Sequence, residues 1–324
     1  MKSKRLIPIP KATLKTTIKS AMTSVDLNPP PFLPTPCSSR NENLARRILH
    51  LDSSARRTPA CTMPGGGANG ERSQVEQRVM DGAEPFHFEG NGTGVLVSHG
   101  FTGTTQSVRP LGEALAEEGF TVMGPRLAGH GTDMEDHAQS TALDCISSIE
   151  QGLTWLGQRT HTVFFAGLSI GGMFALYFAA TRPDLIQGII PINACVYLND
   201  PDLARVVFDP KAPATVPGVG SDIRAEGVEE LVYPEVPVPP VKDFMALMRA
   251  TDDLLPTVTA PALILQSTED HVVPPENGPH IQEKLGSEDK ELVWLENSFH
   301  VATLDNDKDL IAERTTRFIH EHGR

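Results

Sequence analysis

From residue 85 onward, short apolar runs alternate with longer stretches whose apolar residues recur every three or four positions. The first pattern predicts strands buried on both faces, and the second predicts amphipathic helices. Phe86-His87-Phe88 and Val95-Leu96-Val97-Ser98 read as two strands around the Gly-rich turn Gly90–Gly94. A helix near Val108–Glu118 carries Pro110 in its first turn and stops at Gly119. Phe120–Met123 is the next strand, and Thr141–Gln158 is a helix with Leu143, Ile146, Ile149, Leu153 and Leu156 at helical spacing. Thr162–Ala166 is a strand, Gly172–Ala180 a buried helix and Ile186–Ile192 a further strand. Strands at Ala262–Gln266 and Glu291–Leu295 follow, with helices near Glu276–Leu285 and Lys308–His320. Strands alternating with helices predict an α/β fold with a mostly parallel sheet covered on both faces.

Two regions break this rhythm. Residues 193–253 hold Pro201, Pro210, Pro213, Pro217, Pro234, Pro237, Pro239 and Pro240, and one short amphipathic stretch, Val241–Arg249. Their interspersed Val, Phe, Leu and Met suggest a cap packed over a pocket rather than a bare loop. That leaves residues 81–192 and 254–324 as the core. Residues 1–80 have no apolar period; Pro29-Pro30-Pro31 and Pro64-Gly65-Gly66-Gly67 interrupt them. Their Lys, Arg, Ser and Thr superficially suggest a transit peptide, and Met63 is a second candidate start. The expectation is a disordered or mis-called extension.

The sharpest local signal is Gly167-Leu168-Ser169-Ile170-Gly171 between an apolar strand and a buried helix. A strand that becomes a helix within two residues must strain the residue between them, and flanking glycines leave room for the reversal. The result is a nucleophile elbow with the Ser169 hydroxyl at the carboxyl end of a sheet. A serine hydroxyl attacks only when a positioned base takes its proton, and that base needs an acid to hold its tautomer. After an elbow of this kind the partners are expected in the order acid, then histidine, each after a late strand. Glu269-Asp270-His271 follows Ala262–Gln266, and Ser298-Phe299-His300 follows Glu291–Leu295.

Among the eleven histidines, His300 is the base that this order selects. His99 and His130 sit in Gly-flanked turns, where a ring more often braces a loop. His161 precedes the elbow strand at its amino end, and His137 and His280 have no motif. For the acid, Asp270 is preferred because Val272-Val273-Pro274 would fix the loop just after it; Glu269 stays open. An oxyanion needs two donors. The amide of Ile170, first in the elbow helix, is one. The Phe101 amide is the other, in the His99-Gly100-Phe101-Thr102-Gly103 loop after a core strand.

Charge narrows the substrate. The formal net charge of −13 conceals 13 Lys/Arg against 5 Asp/Glu in residues 1–80 and 15 against 36 thereafter. An acidic body argues against nucleic acid as a partner and favours a neutral small molecule. No stretch approaches the ~20 apolar residues of a membrane span, so stable membrane insertion is not expected. Cys37, Cys61, Cys145 and Cys195 lack metal or disulfide spacing, which points to reduced thiols and a cytoplasmic setting. Asp133, Glu135, Asp136 and His137 form one loop that could hold an ion, though such clusters are more often solvated surface. Oligomeric state has no signal here.

These motifs together, with Gly129-His130-Gly131, Gly172 and Val301, resemble the α/β-hydrolase superfamily in its bacterial carboxylesterase and monoacylglycerol lipase branch. The resemblance covers residues ~85–324. It implies the α/β-hydrolase fold with a small cap inserted before the last two strands, and a Ser169–Asp270–His300 triad with oxyanion amides at Phe101 and Ile170. It also implies hydrolysis of short- to medium-chain esters or monoacylglycerols with no cofactor and no metal. Other readings keep the same triad: a perhydrolase, a carbon–carbon bond hydrolase, or a non-catalytic small-molecule receptor on a hydrolase fold. The basic N-terminal region could also anchor to an anionic membrane or nucleic acid.

Overall fold

Periodicity of two along the central strands divides the core into two apolar layers, one on each face of a seven-stranded sheet. Val95, Val97, Phe164, Ala166, Leu168, Ile190, Ile192, Leu263 and Leu265 point to one side. Leu96, Phe165, Ile189, Ala262 and Ile264 point to the other. Runs apolar at every position are what a doubly covered parallel sheet requires. The computed structural model describes residues 78–323. The extension expected over residues 1–80, with its transit-like composition and the start at Met63, lies outside the described residues except for 78–80.

The strands are β1 (Phe86–Phe88), β2 (Thr93–Ser98), β3 (Thr121–Gly124), β4 (Thr162–Leu168), β5 (Gly188–Ile192), β8 (Ala262–Ser267) and β9 (Lys290–Leu295), with β6 (Thr215–Pro217) and β7 (Glu235–Pro237) forming a separate antiparallel pair. Their order is β1-β3-β2-β4-β5-β8-β9, with every pairing parallel except β1 on β3. Helices α1 (Arg109–Glu117) and α8 (Lys308–His322) cover one face. Helices α3 (Ala142–Gly157), α4 (Ile170–Thr181) and α7 (Asn277–Lys284) cover the other. The stretch between β5 and β8 adds α5 (Pro201–Phe208), the β6–β7 pair and α6 (Val238–Leu254). A short α2 (Met134–Gln139) precedes α3.

Three details depart from the periodic reading. The Gly-rich turn after β1 does not close a hairpin, because β3 enters between β1 and β2. That turn is tied instead to the start of β3, with Asn91 N–H donating to the Gly119 carbonyl at 2.7 Å and Thr121 Oγ1 donating to the Asn91 carbonyl at 2.8 Å. The buried stripe of α3 runs through Ala142, Cys145, Ile149, Leu153 and Leu156, which leaves Leu143 54% exposed. Thr141 and Asp144 close a capping box at its start, a feature worth about 1 kcal/mol. The amphipathic Val241–Arg249 is the middle of a longer helix, since Pro239 and Pro240 sit in the first turn of α6, where missing amides cost nothing.

Candidate active site

Strand β4 ends at Leu168 and α4 begins at Ile170, so Ser169 alone makes the reversal. Its backbone adopts φ 57° and ψ −117°, a conformation that costs a non-glycine residue about 1–3 kcal/mol. The neighbours explain why it persists. A side chain at Gly167 would overlap the Gly171 backbone, and one at Gly171 would overlap the carbonyls of Ser98 and His99. Ser169 N–H donates to the Ile192 carbonyl at 2.9 Å, and Met173 N–H donates to the Ser169 carbonyl at 3.1 Å. Behind it α4 is apolar all round, buried from Ile170 to Ala179, so the elbow rests on a helix that has no solvent face to slip toward.

The loops after β8 and β9 bring Asp270 and His300 together, with His300 Nδ1 2.8 Å from Asp270 Oδ2. The Asp270 side chain is fully buried, and its second oxygen accepts the N–H groups of Val272 and Val273 at 2.9 and 2.8 Å. Those bonds lock the carboxylate in place, and they draw on the residues that made Asp270 the preferred acid. Glu269 turns outward and pairs with Arg224. Because Nδ1 faces a carboxylate, it carries the proton and Nε2 keeps the lone pair. Burial pulls the His300 imidazole down, and Asp270, with Glu230 and Asp222 nearby, more than offsets this, so its pKa lies above the ordinary value of 6.5. The loop carrying His300 is anchored from β5's end: Asn193 Nδ2 donates to the His300 carbonyl at 2.8 Å.

Ser169, Ile170 and Phe101 line one cavity of about 360 Å³. Its remaining walls are mostly apolar and come largely from the stretch between β5 and β8: Leu203, Val216, Val236, Phe244 and Met248. Ile170 is the first residue of α4, where amides lack a carbonyl partner within the helix. Phe101 belongs to the loop after β2, and Gly100 lies directly against Ser169. The next residue, Thr102, has φ 60°, so this loop too stores strain beside the serine.

Three further histidines pack around Phe101. Rings of His130 and His137 have centroids 5.9 and 5.1 Å from that of Phe101, and His99 lies 5.3 Å from His130. All three are fully buried by surface exposure. Burial lowers His99 and His137 to about 4 and holds His130 well below its usual range. All three are neutral rings; His99 and His130 brace their loops by bonding the Gly100 and Ala128 carbonyls, each at 2.9 Å, while His137 packs against Phe101 and Tyr233 with neither nitrogen hydrogen-bonded. His137 belongs to α2, capped by Asp133 through the Asp136 N–H at 2.9 Å. The Asp133–His137 loop is therefore a capped helix with its imidazole turned inward. Among the described residues no group of three or more His, Cys, Asp or Glu side chains is gathered as a metal would require.

Two acids near the site have no sequence signal. Asp222 and Glu230 lie in the loop between β6 and β7 and look like ordinary surface acids in a proline-rich stretch. Glu230 packs against Gly103 and faces His300, and burial pushes its carboxyl up to about 7. Asp222 bonds to both the acid-bearing and the histidine-bearing loops.

Comparison with known proteins gives the same outline. The model of the alpha/beta hydrolase family matches residues 95–314. A thermostable monoacylglycerol lipase from Bacillus sp. (strain H-257) is 46% identical over 246 residues, covering 76% of this chain and 97% of that protein. A carboxylesterase from Bacillus subtilis (strain 168) is 30% identical over 73% of this chain and 96% of its own length. Among solved structures, one from work on the metagenome-derived lipolytic enzymes LipS and LipT is 52% identical with a TM-score of 0.74, covering 76% of this chain and all of that one. A monoacylglycerol lipase from Paleococcus ferrophilus, 20% identical with a TM-score of 0.64, shares the fold over 74% of this chain and 98% of its own. With strained elbow, sheet order and near-complete relatives in agreement, the chain belongs to the alpha/beta hydrolase family.

Proposed function

We propose that this carboxylic ester hydrolase works through an acyl-enzyme on Ser169, with His300 as its base and Asp270 holding the base. The observation that carries this reading is the 2.8 Å pairing of buried Asp270 with His300 Nδ1, at the same carboxyl end of the parallel strands as a strained serine that lines an apolar cavity. His300 Nε2 takes the hydroxyl proton as Ser169 Oγ attacks the ester carbonyl. The amides of Phe101 and Ile170 hold the oxyanion. His300 then returns the proton to the departing alcohol, and water releases the acid by the same steps in reverse. Asp270 stabilises the imidazolium throughout. Each step is completed by side chains and amides of this chain, so the cycle calls for no cofactor and no metal.

The substrate is a short- to medium-chain ester or a monoacylglycerol. A cavity of about 150 Å³ accommodates benzene, so the 360 Å³ here suits an acyl chain of roughly a dozen carbons. Residues 193–253 act as the cap that closes over this chain, since they supply most of its apolar wall. Among the described residues no helix is long and apolar enough to cross a membrane. Cys145 and Cys195 are free and buried, and burial pushes Cys145 up to about 12; such inert thiols fit the cytoplasmic setting proposed from the cysteine pattern.

The test is a ladder of p-nitrophenyl esters beside monoacylglycerols of matched chain length. Turnover that peaks at short to medium chains supports the assignment. Hydrolysis of none of them overturns it.

A further inference from the structure

Asp222 is 49 residues from His271 in the loop that carries Asp270 and 78 from His300, yet one carboxylate meets both loops. Its Oδ2 accepts the backbone N–H of His271 and that of His300, each at 3.1 Å. Its Oδ1 lies 2.8 Å from His271 Nδ1, and its own carbonyl accepts the Val301 N–H at 3.1 Å. His271 directly follows the acid, so the carboxylate grips the residue after Asp270 and the base itself. The Asp222 side chain is only 12% exposed.

The neighbouring residues reinforce the grip. Arg224 N–H and Ala225 N–H donate to the Asp305 carboxylate at 2.7 and 2.9 Å, and Phe299 N–H donates to the same group at 2.9 Å. The Arg224 guanidinium pairs with Glu269 and lies 4.6 Å over the Phe299 ring, which also packs edge-on against His271. The loop between β6 and β7 thus straps together two loops that belong to different strands.

We propose that Asp222 is a positioning residue for His300, clamping the loops after β8 and β9 at the separation that lets Asp270 meet the imidazole. This rests on the reading of Ser169, Asp270 and His300 given above. Misplacement of a reacting group by about 1 Å costs on the order of 100-fold in rate, so a clamp on the backbone of the base acts directly on turnover. The clamp also carries charge. The carboxylates facing His300 are Asp270, Glu230 and Asp222. Asp222 in turn faces His271, whose other acidic neighbours are Glu269 and Asp270. Removing the Asp222 charge therefore leaves one carboxylate fewer to favour the imidazolium.

The experiment compares wild type, Asp222→Ala, Asp222→Asn and His300→Ala by steady-state kinetics with p-nitrophenyl butyrate, pH profiles and unfolding midpoints. Asparagine keeps the shape: its oxygen accepts both backbone amides while its NH₂ faces a neutral His271 Nδ1. The expected result for Asp222→Ala is a kcat lower by about 10- to 100-fold with KM little changed. Asp222→Asn should recover most of that kcat while moving the acid limb of kcat/KM to lower pH. A folded Asp222→Ala with wild-type kcat overturns the proposal, as does an Asp222→Asn profile whose acid limb stays in place. Should the alanine variant not fold, the asparagine profile decides alone. Full activity in His300→Ala would instead overturn the underlying triad reading, a result that the Asp222 variants do not mimic.

Discussion

The His99 imidazole donates through Nδ1 to the carbonyl of Gly100 at 2.9 Å and accepts the Leu127 N–H on Nε2 at 3.2 Å. Only a neutral ring makes both bonds at once, since a protonated Nε2 could not accept the Leu127 N–H, and burial keeps the ring neutral by lowering its pKa to about 4. A planar trans peptide sets its C=O and N–H in opposite directions. Holding the Gly100 carbonyl therefore aims the Phe101 N–H, the proposed oxyanion donor. Replacing His99 by Ala should lower kcat by about 10- to 100-fold, less than the loss of a donor outright, with KM nearly unchanged. Steady-state kinetics on a single ester checks this, and an unaltered kcat would detach His99 from the oxyanion loop.

Acid should destabilise the fold earlier than carboxylate titration alone would predict. His99, His130 and His137 are buried and neutral, with pKa values held below 6.5, whereas the unfolded chain protonates histidine near 6.5. Between pH 6.5 and about 4 the unfolded state binds more protons, so stability falls as pH falls. Each histidine contributes up to about 1.4 kcal/mol per pH unit. Glu230, raised to about 7, opposes this within the window, one group against three, while His271, His300 and His322, whose pKa values are raised, take up their extra protons in the folded state mainly above pH 6.5. Urea midpoints measured from pH 7 to 4.5 should drop steeply, and a flat profile would contradict the burial of these rings.

The acid limb of kcat/KM reports the free enzyme's base. With its pKa raised by Asp270, His300 should place that limb above pH 6.5. Asp270→Asn should move it downward and reduce kcat on the order of 10⁴-fold. A limb that does not respond to Asp270 would point to another base.

Phe244 joins the stretch between β5 and β8 to the elbow helix. Its ring lies 4.9 Å from Phe101 and 6.1 Å from Phe174, and it lines the cavity. Phe244→Ala should cost about 3–5 kcal/mol of stability and shift the preferred ester toward longer acyl chains. Denaturant unfolding and the ester ladder read the two effects separately.

Much of this arrangement is legible in the sequence because it depends on local rules. Gly167 and Gly171 announce the strained turn at Ser169, and the doubly buried strands announce themselves as unbroken apolar runs. Asp270 stands out from Glu269 through Val272 and Val273, whose amides it binds. What the sequence hides depends on pairing across distance. Nothing in Phe86-His87-Phe88 says that β3 rather than β2 is its neighbour, since both offer suitable edges. Leu143 fits a helical count but sits about 100° around α3 from the buried Ala142. Asp222 and Glu230 gain their surroundings only when the loop between β6 and β7 folds back onto the loops after β8 and β9, and no period or motif encodes that return.

Every step proposed for this site passes through an acyl-enzyme on Ser169. The direct measurement is active-site titration: a burst of p-nitrophenol from a p-nitrophenyl ester, with intact-mass and peptide mapping after a serine-directed phosphonate, on wild type and Ser169→Ala. One equivalent of phosphonate is expected on Ser169, and in the variant neither burst nor adduct, with turnover lower on the order of 10⁴-fold or more. Full ester turnover by Ser169→Ala, or an adduct on another residue that abolishes activity, would contradict it.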